Sequence, residues 1–292
     1  MRGGDLAPRF LMRTLLRIQR RTKRPLAMGI LNVTPDSFSD GGKFSDAQAA
    51  VRHAIEMVQA GADVIDVGGE STRPGAAAVA LDEELARTIP VIARLAAAVH
   101  VPLSIDTSKA EVARQALRAG ASIVNDVTAL RGDAAMASVA AVAGAQVILM
   151  HMRGSPRTMQ KSPRYSDVVR DVAAFLRDAA RRAMNAGIVR DRIWLDPGIG
   201  FGKTVTHNLL LLRRLKRIRA LGFPVVVGAS RKSFIGKSLK VAPDERLIGS
   251  LACVAAAQAN GAAMVRVHDV AQTRQLIDML KFIEDAKALK RP

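Results

Sequence analysis

A series of polar side chains in this chain each closes, or directly follows, a short apolar run rich in β-forming residues. Asn32 follows Leu26-Ala-Met-Gly-Ile-Leu, Asp66 sits in Asp63-Val-Ile-Asp-Val-Gly, Asp106 ends Pro102-Leu-Ser-Ile-Asp, and Asn125-Asp126 follows Ala121-Ser-Ile-Val. His151 follows Gln146-Val-Ile-Leu-Met, and Asp196 ends Arg192-Ile-Trp-Leu-Asp. Gly228-Ala-Ser-Arg-Lys follows Pro224-Val-Val-Val, and Arg266-Val-His268 ends the run from Ala263. Gathered on one rim, these groups supply donors and acceptors for both edges of a flat heterocycle. A buried carboxylate accepts two parallel hydrogen bonds from an amino-pyrimidinone edge, and asparagine donates and accepts on the other edge. Lysine donates to a ring oxygen or nitrogen, and a guanidinium plane stacks over the ring. A pterin is one such ring. Asp126, Asp167 and Asp269 read instead as turn and helix-cap residues, the commonest use of aspartate at these places. No Ser-His-Asp or Cys-His arrangement can be assembled, and His53, His100 and His207 read as surface residues of helices or loop approaches.

What positions these groups is an alternation of strands and helices. The eight apolar runs are separated by helical patterns such as Asp46 to Ala60, Asp82 to Val99, Ser108 to Ala119 and Asp167 to Ala186. Glycine follows several of them, in Gln59-Ala-Gly, Arg118-Ala-Gly, Asn185-Ala-Gly and Asn260-Gly, where a left-handed C-terminal cap is wanted before the next strand. This is the pattern of βαβ units and a parallel sheet. Eight units without a Gly-x-Gly-x-x-Gly fingerprint favour a closed (β/α)8 TIM barrel over a flavodoxin-like or Rossmann-like open sheet. The length of 292 residues fits one such barrel, typically about 250 residues. In this α/β class, catalytic groups lie at the C-terminal ends of the strands, where the polar residues fall.

Hydrophobic residues make up 49% and charged residues 24% of the chain, a composition with enough apolar surface for a large core. The single cysteine, Cys253, lies in a small-residue helical run, so no internal disulfide forms and a reducing cytoplasm is expected. No secretory signal opens the chain, and no apolar stretch approaches the roughly 20 residues of a membrane span. The net charge of +18 raises affinity for nucleic acid or an anionic membrane surface as a question. Residues 1–25 hold eight basic residues and one acid, so much of the excess belongs to a basic N-terminal extension, residues 1–24, ahead of a barrel over 25–292. Leu11, Leu15 and Ile18 repeat there at helical spacing, with Arg13, Arg17, Arg20 and Arg21 on another face. Arg213-Arg-Leu-Lys-Arg-Ile-Arg reads as the solvated face of one helix. With aromatics at only 3% and none interleaved with these runs, neither a nucleic acid nor a membrane is expected as a partner. Pro197-Gly-Ile-Gly-Phe-Gly-Lys-Thr resembles a nucleotide P-loop but has proline where the first glycine is required, preceded by a phosphate-repelling Asp196.

Met28-Gly-Ile-Leu-Asn-Val-Thr-Pro-Asp-Ser-Phe-Ser-Asp-Gly-Gly and Asp66-Val-Gly-Gly-Glu-Ser-Thr-Arg-Pro-Gly resemble the two signature loops of the dihydropteroate synthases. Ile105-Asp-Thr-Ser, Val124-Asn-Asp, Leu149-Met-His-Met-Arg-Gly, Leu195-Asp-Pro-Gly-Ile-Gly-Phe-Gly-Lys, Gly228-Ala-Ser-Arg-Lys-Ser-Phe-Ile-Gly and Val265-Arg-Val-His-Asp follow in the family's order, from Pro25 onward. The resemblance implies condensation of 6-hydroxymethyl-7,8-dihydropterin diphosphate with p-aminobenzoate, a requirement for Mg²⁺, membership of a family that is a sulfonamide target, and a cytoplasmic homodimer. By it, Asp106, Asn125, Asp196 and Lys232 hold the pterin, Met150 and Phe201 wall it, and Arg266 stacks on its face. Asn32, Thr72, Arg266 and His268 hold the diphosphate, with Asn32 also facing the metal. Phe38, Arg73, Pro74 and Ser233 form the p-aminobenzoate pocket, and Asp40, Thr72, Arg73 and Lys232 are the catalytic set. Pterin-dependent methyltransferases of the same barrel family are the nearest alternative.

Overall fold

A computed structural model describes residues 15–33, 42–72, 75–154 and 158–286 of the chain. The eight strands are β1 (Leu26–Asn32), β2 (Val64–Gly68), β3 (Leu103–Asp106), β4 (Ile123–Asp126), β5 (Gln146–Met150), β6 (Ile193–Asp196), β7 (Val226–Val227) and β8 (Met264–Val267). All pairings are parallel, in the order β6-β5-β4-β3-β2-β1-β8-β7. A parallel bridge between Leu195 and Val225 closes the ring, and the Leu195 N–H donates to the Pro224 carbonyl at 3.0 Å. The closed barrel expected from the strand count is therefore present, and the open-sheet alternative is excluded.

Helices α2 (Gly42–Gln59), α3 (Leu81–Ala98), α4 (Ala110–Ala119), α5 (Met136–Val142), α6 (Val168–Asn185), α7 (Val205–Arg213), α8 (Lys216–Arg219), α9 (Ser233–Leu239), α10 (Leu247–Ala259) and α11 (Val270–Asp285) follow the strands around the outside. Among the described residues no helix is long and apolar enough to cross a membrane. Cys253 lies half-buried on α10, where burial pushes its thiol up to about 11.

The two-residue period of a strand sorts these sequences into faces. Ile65, Val67, Ile105, Val124, Val147, Leu149, Leu195, Val227, Val265 and Val267 join the core between sheet and helices. The alternate residues Leu26, Met28, Val64, Ile123, Ile148, Trp194, Val226 and Met264 form a separate apolar layer inside the barrel. One inward step toward the C-terminal end, the same face turns polar, at Asp66, Asp106, Asn125, Asp196 and Arg266. In β2, β4, β6 and β8 an apolar floor residue is thus followed, two residues later, by a polar group: Val64 by Asp66, Ile123 by Asn125, Trp194 by Asp196 and Met264 by Arg266.

That floor is sealed by α1 (Leu15–Thr22), the described part of the basic extension. Leu15 is fully buried in the inner apolar layer, and its N–H donates to Gln146 Oε1 at 3.1 Å. The same oxygen accepts from Trp194 Nε1 at 3.3 Å, so the buried carboxamide and indole satisfy each other and the incoming helix. Arg17 and Arg20 keep to the exposed side. Leu11 and Arg13 lie outside the described residues. Leu15→Ala is expected to lower stability by about 2–4 kcal/mol, the cost of a cavity at a fully buried leucine, measured by urea unfolding.

Candidate active site

Arg266 stands at the centre of the polar layer. Its Nε donates to Asp66 Oδ2 at 2.6 Å and its Nη2 to Asp106 Oδ2 at 2.8 Å, while Asn125 Nδ2 donates to the same Asp66 oxygen at 3.0 Å. Strand register places these groups side by side: Gly68 pairs with Asp106, and Asp106 with Asn125. Burial works against charge on Arg266, but Asp66 and Asp106 outweigh it and hold the guanidinium above its ordinary pKa. Burial raises the Asp106 carboxyl, against the pull of Arg266 and with the repulsion of Asp66. The charges of this layer therefore depend on one another.

The loop after β6 supplies the opposite wall. Asp196 accepts from the Gly198 N–H at 2.7 Å, and burial raises its pKa against the attraction of Lys232. Gly198, Gly200 and Gly202 have φ of +66°, +86° and +61°, the left-handed region that glycine adopts without strain. Space also requires glycine: a Cβ at position 198 would lie 1.9 Å from the His151 carbonyl oxygen, and one at 200 would lie 2.7 Å from Lys232 Cδ. The tight loop thus makes room for Lys232, which donates to the Ile199 carbonyl and sits 4.3 Å from the centre of the Phe201 ring. Burial lowers the Lys232 ammonium to about 8, against the support of Asp196. Met150 joins Val127, Met152 and Met159 in an apolar cluster on which Phe201 packs, so the two expected pterin walls are contiguous.

Of the other residues expected in the site, Asn32 ends β1 and Thr72 lies half-buried beyond β2. Ser233 opens α9 on an exposed position, and His268 follows β8 half-buried. Phe38, Asp40, Arg73 and Pro74 lie outside the described residues.

The three aspartates read as turn and cap residues divide. Asp126 points out of the barrel and accepts from Thr128 N at 2.7 Å and Leu130 N at 2.8 Å, and Asp167 caps α6 by accepting from Val169 N and Arg170 N. Asp269 stands at the cap of α11 yet makes no capping bond, because Arg231 takes both its oxygens. His207 is not a simple surface residue either: it completes a capping box with Thr204 and meets Tyr165 edge-on at 5.0 Å.

Buried ionic groups behind the rim went unseen in the sequence. Lys203, 3% exposed, donates to the Gly198 and Phe201 carbonyls at 2.9 Å each and lies 3.0 Å from His151 Nδ1. It staples the glycine loop from beneath, which also removes it from phosphate binding and disposes of the P-loop resemblance. Burial lowers its ammonium to about 7. Burial, then Lys203, pushes the His151 imidazole down to about 3, so this histidine is a neutral packing partner rather than a rim group. Below the second signature loop, Lys109 contacts Glu70 and the fully buried Glu84, Thr107 Oγ1 donates to Glu84 at 2.6 Å, and Arg87 Nη1 donates to the Gly69 carbonyl at 2.8 Å. The stem leading to Thr72 is thereby tied to α3 and α4. Glu70, Thr107, His151 and Lys203 fall inside motifs of the resemblance and Lys109 lies beside one, whereas Glu84 and Arg87 carried no such signal.

The family model for pterin binding enzymes matches residues 28–268. The dihydropteroate synthase of Escherichia coli is 49% identical over 267 residues, 91% of this chain and 94% of that protein. A structure of the Xanthomonas albilineans dihydropteroate synthase with 4-aminobenzoic acid superimposes with a TM-score of 0.85 at 46% identity, over 89% of this chain and 93% of that one. The same enzyme in complex with 7,8-dihydropteroate gives 0.81 at 43% identity, over 89% and 94%. With likeness of this extent in sequence and in fold, the chain belongs to the pterin-binding enzyme family, among its dihydropteroate synthases.

Proposed function

We propose that the rim joins 6-hydroxymethyl-7,8-dihydropterin diphosphate to p-aminobenzoate, releasing 7,8-dihydropteroate and diphosphate. The observation that carries this reading is the convergence of Asp106, Asn125, Asp196 and Lys232 around the Arg266 guanidinium, above a sealed apolar floor. Asp196, Asn125 and Asp106 read the donor and acceptor edges of the pterin, Lys232 donates to it, and Met150 and Phe201 hold its faces with Arg266. Arg266 Nη1 makes no hydrogen bond among the described residues and is the donor left for diphosphate, beside Asn32, Thr72 and His268. Phe38, Arg73, Pro74 and Ser233 receive p-aminobenzoate, and Asp40, Thr72 and Arg73 close over the reacting atoms.

The chemistry asks for no protein nucleophile. The bond from the methylene carbon to the diphosphate oxygen breaks, the dihydropterin ring delocalising the resulting cation. The aminobenzoate nitrogen then bonds to that carbon and gives up a proton. The protein's share is to hold the leaving anion and to exclude water, work suited to fixed cationic donors and closing loops.

Mg²⁺ fits the donor set present. Among the described residues no three His, Cys, Asp or Glu side chains converge on a metal cage. Mg²⁺ is commonly held by one or two protein oxygens together with substrate phosphates and water, and the Asn32 carboxamide oxygen at the end of β1 can be that ligand. Bound there, the ion would neutralise charge on the diphosphate.

The same reading makes the protein a cytoplasmic homodimer, in which the catalytic barrel spans 25–292 and residues 1–24 are a basic N-terminal extension whose described part, α1, closes the barrel floor. Leu209, Leu239 and Ile248 are exposed on α7, α9 and α10, helices that pack on one another, and this apolar face supports a dimer.

Protonated Lys232 is the donor this site needs, so kcat/KM for the pterin substrate is expected to fall as pH rises through about 8, the value to which burial lowers its ammonium. In Lys232→Arg, whose guanidinium does not titrate, that alkaline limb should disappear from the rate profile. To separate this reaction from its barrel relatives, the protein is offered a methylated tetrahydropterin donor with a reduced corrinoid acceptor. No methyl transfer is expected, and catalytic formation of a methylated corrinoid would favour the methyltransferase reading.

A further inference from the structure

Ser230 and His268 face each other across the ends of β7 and β8, each two residues beyond an inward-facing position, Gly228 and Arg266. The His268 backbone N–H donates to Ser230 Oγ at 3.2 Å, and His268 Nδ1 lies 3.1 Å from the same oxygen. Ser230 is buried. The next residues along both strands are also joined: the Arg231 guanidinium spans the Asp269 carboxylate, its Nε donating at 3.0 Å. The Arg231 backbone is fixed as well, with its N–H donating to Ser250 Oγ at 2.9 Å and its carbonyl accepting from Arg246 Nη1 at 3.1 Å. Two adjacent cross-links therefore hold these loops in register, and this explains why Asp269 leaves α11 uncapped.

A serine hydroxyl has one proton to give. With the His268 N–H already donating to Ser230 Oγ, the acceptor that faces the hydroxyl proton among the described residues is the lone pair of His268 Nδ1. A neutral imidazole that accepts at Nδ1 carries its proton on Nε2. We propose that Ser230 is a positioning residue that fixes His268 as the Nε2–H tautomer, so that the ring presents a donor to an anionic oxygen of the diphosphate, with the Arg231–Asp269 pair keeping the two loops aligned. This consequence rests on His268 being a diphosphate contact; the tautomer does not.

The test uses full-length protein labelled with ¹⁵N in its histidines, at a pH where the ring is neutral, with His268→Gln to assign the resonance. Wild type should show an unprotonated Nδ1 and a protonated Nε2. Ser230→Ala should move both nitrogens toward the averaged shifts of exchanging tautomers, and Ser230→Thr, which keeps the hydroxyl, should restore the wild-type pattern. Adding inorganic diphosphate should shift Nε2 in wild type. In steady state, Ser230→Ala should raise KM for the pterin diphosphate roughly 5–10-fold, the effect of one weakened charge-assisted hydrogen bond, while KM for p-aminobenzoate stays unchanged. A wild-type ring protonated on Nδ1, or an unchanged spectrum in Ser230→Ala, overturns the tautomer assignment whatever the turnover. An Nε2 signal that ignores diphosphate overturns the link to the substrate, a failure of the His268 reading that the first arm distinguishes.

Discussion

Asp196→Asn is expected to weaken binding of a pterin ligand by roughly a hundredfold or more, whereas Asp126→Asn leaves it within about twofold. The two carboxylates are both buried at strand ends but on opposite faces. Asp196 faces the barrel interior, one oxygen held by the Gly198 N–H at 2.7 Å and Lys232 close enough to stabilise its charge. A carboxamide there replaces an acceptor with a donor where the amino-pyrimidinone edge also donates. Two charge-assisted hydrogen bonds are lost together, each worth about 1.5–3 kcal/mol. Asp126 spends its oxygens on Thr128 and Leu130 in the β4–α5 turn, so its replacement touches stability and not the ligand. Calorimetric titration of both variants with the same pterin measures the contrast, and equal affinities would remove Asp196 from the site.

Arg266→Met is the second large effect, on stability and turnover together. The arginine is the cation between Asp66 and Asp106, which are 0% and 7% exposed. Removing one partner of a buried ion pair costs about 3–5 kcal/mol, because the remaining charges lie uncompensated in the interior. The sign of the pH dependence follows. Burial already raises the Asp106 carboxyl with Arg266 in place, and without the arginine its folded-state pKa rises further above the unfolded value. A carboxyl whose pKa is raised on folding destabilises the protein once pH exceeds the unfolded value, and the penalty grows until pH passes the folded value. Arg266→Met should therefore lie closest to wild type in stability at acid pH and fall away through neutrality, as read by urea unfolding at several pH values. Turnover should drop by roughly 10²–10³, the usual cost of one donor to a developing anion. A variant as stable as wild type at alkaline pH would show that the three groups are not the coupled set that the geometry implies.

Much of the fold was legible because strand and helix periods are local properties. Eight apolar runs with helical patterns between them predict eight βα units, and the alternation within Ile-Val-Asn-Asp or Met-Val-Arg-Val separates inward Asn125 and Arg266 from outward Asp126 and Val267. Groups whose meaning is set by distant partners were not legible. Glu84 looks like an ordinary acid in the first turn of a helix until Thr107 and Lys109 meet it from the next strand end. Lys203 looks like a loop lysine, and only the folded chain turns three carbonyl oxygens toward it, two from the glycine loop and one from His151 after β5. Asp269 has every local mark of a cap and loses that role to Arg231, 38 residues earlier. Leu15 reads as one residue of an amphipathic tail, and only ring closure creates the floor it fills. The reaction was less legible than the site: polar strand ends specify a flat heterocycle and an anion, while dihydropteroate synthesis rests on the family motifs.

The central claim meets its most direct test when purified, folded protein is incubated with Mg²⁺, dihydropterin diphosphate and p-aminobenzoate, and the products are resolved by mass. The account predicts 7,8-dihydropteroate, formed only when both substrates are present and greatly reduced in Asp196→Asn. Folded wild-type protein that binds the pterin yet yields no dihydropteroate would contradict it.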